Sequence, residues 1–144
     1  MRNVLILSFV LFISTSVCIG QKNGYVIEKY PNGKTKYEGQ FNNGKPTGLI
    51  KKYDNKGKLA STLNYDKNSD LVAAHHYHPN GKIHRKHFLN SKNQVEGKAI
   101  EYDKNGSLSA IYQFKEGVLV DSLVYFEKNE ITAIIYLKGN DVFP

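Results

Sequence analysis

The sequence predicts an all-β protein: one elongated, twisted antiparallel β-meander built from hairpin repeats of about 24 residues. Three observations predict it. Aromatic residues recur at steps of 23, 24, 25 and 24, at Tyr30, Tyr53, Tyr77, Tyr102 and Phe126. A glycine-containing turn sequence follows most of them, and the residues after each turn alternate with the period of a strand. Such a fixed period indicates a repeat architecture.

The N-terminus predicts a secretory signal peptide over residues 1–20. Arg2 supplies a basic start, residues 4–13 (VLILSFVLFI) form an apolar run, and small residues precede a cleavage site after Gly20. This run is well short of the roughly 20 residues that span a bilayer. We therefore expect residues 21–144 to form a single repeat domain that is exported to the periplasm, the cell envelope or the extracellular space.

Cys18 is the only cysteine in the sequence. It lies in the segment that we expect to be removed, which would leave the mature chain without a thiol for a disulfide or a metal ion. A lipidated N-terminus at Cys18 would tether the protein to a membrane. This lipoprotein interpretation is the less favoured one, because Val17 stands where such sites usually carry a small residue.

Each predicted unit contains two strands and two turns. Glycine is expected in the turns because they need a positive φ angle. The predicted turn glycines are Gly33, Gly44, Gly57, Gly81 and Gly106. A second aromatic follows the first by 10 to 12 positions, at Phe41, Tyr65, Phe88, Phe114 and Tyr136. About five units predict about ten strands, and the last unit, over 118–137, is atypical because Asn129 and Glu130 replace its turn glycine.

The stretch 24–57 resembles the MORN repeat, in the variant form of the YwqK-type antitoxin family. The matching residues are Tyr30, Asn32, Gly33, Lys34, Gly39, Phe41, Asn43, Gly44, Lys45 and Gly48. With weaker copies the resemblance extends to about residue 129. It implies a twisted antiparallel sheet with aromatic side chains along one face, and it brings no active site. Proteins of this kind include antitoxin or immunity partners of toxins, membrane-associated scaffolds and secreted proteins.

All five histidines fall in the third unit. If residues 79–81 form the turn, His76, His78 and His84 share one face and become a weak candidate for a zinc or copper site. No carboxylate lies beside them, and the spacing of dedicated metal sites is absent. We therefore expect no bound metal and no cofactor.

The charge is unevenly distributed. Residues 21–98 contain 15 Lys/Arg against 6 Asp/Glu, whereas residues 99–144 contain 4 against 7. Lysines alternate with aromatics around Lys51 and Lys52 in a way that suits an anionic lipid or polysaccharide. Nucleic acid is not expected as a partner, because an exported protein seldom meets it.

The sequence predicts a non-enzymatic binding module. It has no nucleophile motif and no converging pair of carboxylates. The expected partner is a protein, such as a toxin, bound at the sheet face or at an edge strand. The candidate binding residues are Tyr30, Phe41, Tyr53, Tyr65, Tyr77, Lys51 and Lys52. The sequence makes no prediction of the oligomeric state.

Overall fold

The computed structural model describes residues 22–128, 130–138 and 141–142. In these residues every strand pairs antiparallel with the next one along the chain, so that one open sheet forms. The strands are β1 (Gly24–Lys29), β2 (Thr35–Asn42), β3 (Lys45–Tyr53), β4 (Leu59–Tyr65), β5 (Leu71–Tyr77), β6 (Ile83–Leu89), β7 (Val95–Tyr102), β8 (Leu108–Lys115), β9 (Val118–Glu127), β10 (Glu130–Lys138) and β11 (Asp141–Val142). The predicted all-β meander is confirmed. The predicted signal peptide, including Cys18, lies outside the described residues.

The turns at one end of the sheet share one hydrogen-bond pattern. The residue that opens the turn donates its N–H to the carbonyl oxygen four positions on, over 2.8–2.9 Å; these residues are Tyr30, Asp54, His78 and Asp103. The glycine in each of these turns has φ between +81° and +88°. Tyr30 is therefore equivalent to Asp54. The prediction that aligned Tyr30 with Tyr53 was therefore wrong by one residue. The turn glycines, and not the aromatic residues, give the correct spacing of the repeat units.

Side chains of one turn bind carbonyl groups of the next turn at this end. Lys34 Nζ donates to Lys56 O over 2.6 Å, and Lys82 Nζ donates to Asn105 O over 2.6 Å. The neighbouring amides act in the same way, since Asn32 and Asn80 donate to the carbonyls of Asn55 and Lys104. The Asn-Gly-Lys sequence of the repeat therefore fixes successive hairpins to one another, in addition to forming the turn.

Residues paired across neighbouring strands lie on the same face of a sheet, so the register divides this sheet into two faces. One row runs through Gly39, Ile50, Leu63 and Ala74, and another runs through Ala99, Tyr112 and Leu123. The buried hydrophobic residues among those described all lie on this face: Ile50, Ala74, Ala99, Ala110 and Leu123. We call it the core face, and the opposite one the open face.

The aromatic side chains of the repeat do not share one face, contrary to what the resemblance implied. Phe41 and Tyr65 lie on the core face, whereas Tyr53 and Tyr77 lie on the open face. The cause is a β-bulge near the turn. Lys52 pairs with Ser61 but Tyr53 pairs with Leu59, so one additional residue enters β4 and reverses the alternation.

The third unit also departs from its predicted register. Phe88 pairs with Ala73 and Glu96 on the open face, and Leu89 takes the core-face position before the next turn. Leu89, and not Phe88, is therefore the equivalent of Tyr65. The segment predicted as an atypical last unit forms β9 and β10, which pair with a bulge between Ile131 and Ala133.

Candidate binding surface

The open face carries the large apolar side chains that are exposed in the described part of the chain. Their exposed fractions lie between 43% and 67%. They are Tyr25, Ile27, Leu49, Phe88, Val118, Ile131, Ile134 and Tyr136, and the strand register places all of them on the open face. Because these exposed apolar side chains lie on one face, that face is the candidate interaction surface.

Lysines stand between these apolar residues. The register places Lys51, Lys86, Lys98 and Lys115 on the open face. Glu38 and Glu96 also lie on the open face and are engaged within the sheet. Glu38 accepts a hydrogen bond from the Tyr53 hydroxyl at 2.6 Å, and Glu96 accepts one from the backbone N–H of Glu116 at 2.7 Å. The open face is therefore apolar and positively charged.

The core face differs, because two ion pairs lie on it. Lys22 forms an ion pair with Glu28, and Arg85 forms one with Glu101. The Tyr112 hydroxyl also donates to Glu101, at 3.0 Å. Burial and this carboxylate raise the pKa of Tyr112 to about 12. Because these charged groups and the Tyr112 hydroxyl are already paired with one another, they are not available to bind a partner.

The predicted binding residues are divided between the faces. Lys51 lies on the open face with Tyr53 and Tyr77, and Lys52, its neighbour in the chain, lies on the core face. Phe41 and Tyr65 belong to the core face, as described above. Tyr30 opens a turn and donates its hydroxyl to Tyr53 O at 2.8 Å.

Two predicted binding residues of the open face, Tyr53 and Tyr77, have their hydroxyl groups engaged within the sheet. The bond to Glu38 is the first cause, before burial, that raises the pKa of Tyr53 to about 12. The Tyr77 hydroxyl lies 3.3 Å from Thr62 Oγ1. Tyr25 and Leu49, which are more exposed residues of this face, were missed because they lie outside the aromatic period. Phe88 lies within that period but was not among the predicted binding residues. Leu49 could have been found, because it lies two residues before Lys51 and therefore on the same face.

The histidines of the third unit form two separate ring contacts instead of one cluster. His76 stacks on His87 with ring centroids 5.5 Å apart, and His78 contacts His84 at 4.4 Å. A bulge separates them, because His76 pairs with Arg85 and Tyr77 pairs with Ile83. In the described residues no three His, Cys, Asp or Glu side chains are placed to hold a metal ion. The structure therefore does not assemble His76, His78 and His84 as a ligand set.

His76 and His87 lie on the core face in a partly buried, positively charged setting. Burial lowers the pKa of both rings, and Arg85 lowers both further. Lys52, His75 and His84 also act on His76. The Nδ1 atom of His87 is buried without a hydrogen-bond partner in the structure. Both rings are therefore neutral at pH 7.

We expect acidification to destabilise the protein through this pair. The folded pKa values lie below the ordinary value of 6.5, so the unfolded chain binds protons first as the pH falls through 6.5. The stability is fully present above that value and declines below it. Thermal melts between pH 7.5 and pH 5.5 should show this decline. It should be smaller in a His76→Phe/His87→Phe double variant, and an equal decline in that variant would contradict the assignment.

The core face also has a shallow depression of about 160 Å³. It is lined by Arg85, His87, Val95, Ala99, Tyr112 and Phe114. Small-molecule sites usually measure about 300–1,000 Å³ and enclose most of the ligand. The depression is smaller, and Arg85 is already paired with Glu101. The open face is therefore the better candidate surface.

Comparison with known proteins supports the repeat interpretation. The family described as MORN repeat variant matches at residues 22–43, 46–67 and 95–116. The histidine-containing third unit lies between the second and third matches. No curated protein sequence matches the chain. The described residues contain no helix that is long and apolar enough to cross a membrane. Three matched copies, together with a meander of paired hairpins, show that this chain is a MORN repeat protein of the variant type.

Proposed function

We propose that this protein is an exported, non-enzymatic binding module that holds an acidic protein partner on its open face. MORN repeats form modules that often take part in binding. The observation that supports this proposal is the concentration of exposed apolar side chains on one face of a single-layer sheet. An interface of this kind combines an apolar centre with polar residues around it.

The charge of the open face defines the partner. Lys86 and Lys98 lie on either side of Ile100, Lys86 as its cross-strand neighbour on β6 and Lys98 on the same strand. Lys86 also lies 5.3 Å from the centroid of the Tyr102 ring. A complementary surface would carry carboxylates around an apolar patch, which increases the association rate and excludes basic partners.

The first test is site-specific photo-crosslinking in the native cell envelope. A crosslinking amino acid at Leu49 or Phe88, on the open face, should capture a defined protein. The same amino acid at Lys52, on the core face of β3, should not capture it. Equal capture from both faces, or capture only from Lys52, would contradict the proposal.

The second test uses the captured partner in purified form. Leu49→Asp should raise the dissociation constant about ten-fold or more, which corresponds to about 1.4 kcal/mol. Lys52→Ala is the control, because it changes the net charge by the same amount on the opposite face. Both variants should keep the circular dichroism spectrum of the wild type. An equal loss of affinity in both variants would show that net charge, and not the open face, determines binding.

Lysines beside exposed tyrosine, isoleucine and phenylalanine side chains also suit an anionic membrane surface or an anionic polysaccharide. Sedimentation with vesicles of phosphatidylglycerol and phosphatidylcholine tests binding to an anionic membrane surface. Sedimentation with anionic but not neutral vesicles, lost in Leu49→Asp, would replace the protein partner with a lipid surface. Binding to an acidic polysaccharide that Leu49→Asp abolishes would replace it with a carbohydrate.

The YwqK-type resemblance gives a specific form of the proposal, in which the partner is a toxin. Co-expression with a toxin encoded beside this chain should then restore growth. Leu49→Asp should lose this protection and Lys52→Ala should keep it. If no neighbouring gene is harmful on its own, the toxin form is excluded, while binding to another protein is unaffected.

A further inference from the structure

We propose that two copies of this chain pair through their β1 strands, antiparallel to each other, so that one sheet continues across a symmetric dimer. This inference concerns the edge of the sheet and does not depend on the partner of the open face. It assigns a second copy of the chain as the occupant of that edge.

β1 is the first strand of the sheet and has only β2 as a strand neighbour within the described residues. Its outer side therefore presents backbone N–H and C=O groups that no described strand pairs with. At the opposite end of the sheet, β11 pairs with β10 at Leu137 and Lys138. A row of unpaired backbone groups on an edge strand is a template for another strand.

The features that usually prevent edge pairing are confined to the end of β1, where Lys29 follows a bulge. Proline, inward-pointing lysine and β-bulges protect natural edges. The stretch from Gly24 to Glu28 contains neither proline nor lysine, and its bulge comes only after Glu28. Instead, Tyr25 and Ile27 are exposed by 62% and 54%. The edge is regular and apolar for most of its length.

The residues before β1 lie beside the hairpin of the same chain. Lys22 O accepts a hydrogen bond from Gly44 N at 2.8 Å. Asn23 Oδ1 accepts one from Asn43 N at 2.6 Å. The chain therefore enters β1 from the turn between β2 and β3, which holds these residues on the inner side of the strand. Among the described residues, no strand covers the outer side of β1.

The sequence of β1 is complementary to itself in the antiparallel direction. A two-fold axis at Val26 places Tyr25 of each copy opposite Ile27 of the other copy. Both of these pairs lie on the open face, which continues across the dimer. Aromatic and β-branched side chains form favourable cross-strand pairs. Gly24 then lies opposite Glu28 on the core face, and no like charges stand opposite each other. A symmetric pairing of this kind closes on itself and does not lead to fibres.

The mass in solution tests the proposal, measured by light scattering on chain purified after export. Wild type should have the mass of two chains, Ile27→Lys the mass of one, and Leu49→Lys the mass of two. Ile27 and Leu49 are matched, because both lie on the open face and are exposed by 54% and 52%. A monomeric wild type, or loss of the dimer in Leu49→Lys, would overturn the proposal.

A cross-link tests the register and remains informative if Ile27→Lys fails to fold. Directly opposed residues of antiparallel strands have Cα atoms about 4.5–5.5 Å apart, within the range that a disulfide bridges. In a Cys18→Ser background, Val26→Cys should oxidise to a covalent dimer and Leu49→Cys should not. Absence of the cross-link in Val26→Cys would refute the register, and a cross-link only in Leu49→Cys would refute the edge contact.

Discussion

Replacing Ala110 with aspartate is expected to remove a large part of the unfolding free energy of the protein. Ala110 is 1% exposed and pairs with Glu101 and Tyr125 on the core face. A carboxylate there would be buried beside another carboxylate and without a cation of its own, since Arg85 is paired with Glu101. An uncompensated buried charge costs about 3–5 kcal/mol. This is a large part of the stability of a typical domain.

Gln113→Asp is the matched control on the same strand. Gln113 lies on the open face opposite Lys98, so that a carboxylate there gains a nearby cation and stays hydrated. Chemical denaturation of both variants measures the difference. If Ala110→Asp were as stable as Gln113→Asp, the division of the sheet into a core face and an open face would be wrong.

Replacing Gly39 with alanine is the second change with a large expected effect. A Cβ atom at Gly39 would lie 2.4 Å from Ile50 Cδ1 and 2.7 Å from the carbonyl oxygen of Leu49. The backbone there has φ +155°, which side chains other than glycine rarely adopt. Overpacking alone costs roughly 1–3 kcal/mol, and the backbone strain adds to it. We expect the melting temperature to fall by several degrees.

Two companion variants separate the causes. Gly48→Ala is the control for backbone strain, because its φ is +63° but a Cβ there meets no atom within 4 Å. Ile50→Val removes the Cδ1 atom and should recover part of the loss in the Gly39→Ala background, measured as a coupling in a double-mutant cycle. Gly48→Ala losing as much stability as Gly39→Ala would show that contact with Ile50 is unimportant.

These two predictions concern the core face, and the binding proposal concerns the open face. A single-layer sheet can separate stability from recognition, because alternate residues of one strand serve different purposes. In β3, Ile50 is 4% exposed and supports the fold, whereas Leu49 is 52% exposed and is available to a partner. Variants on the open face should therefore alter binding at nearly unchanged stability.

Much of the fold could be predicted from local sequence. The period of the glycines and the Asn-Gly-Lys sequences indicated tight turns at fixed intervals, and the strands between them follow from the apolar and polar alternation. Gly33 and Gly57 show why this works, because a turn that requires φ above +80° favours glycine wherever it occurs. Turn conformations of this kind depend on adjacent residues and can therefore be predicted from the local sequence.

Local alternation of apolar and polar residues could not predict on which face of the sheet each side chain lies. The bulge between Lys52 and Tyr53 adds one residue to the facing strand and reverses the alternation after the turn. For this reason Tyr53 and Tyr65 point to opposite faces although their spacing suggested one. The candidate surface was missed in part for the same reason, because Phe88 lies on the open face while the residue equivalent to Tyr65 is Leu89.

The sequence by itself determined the all-β class, the meander order and the positions of the turns, because hairpin geometry depends on a few neighbouring residues. Only the tertiary structure decided which residues are buried and which are presented. That choice depends on the pairing between strands, where a bulge of one residue moves every following side chain to the other face.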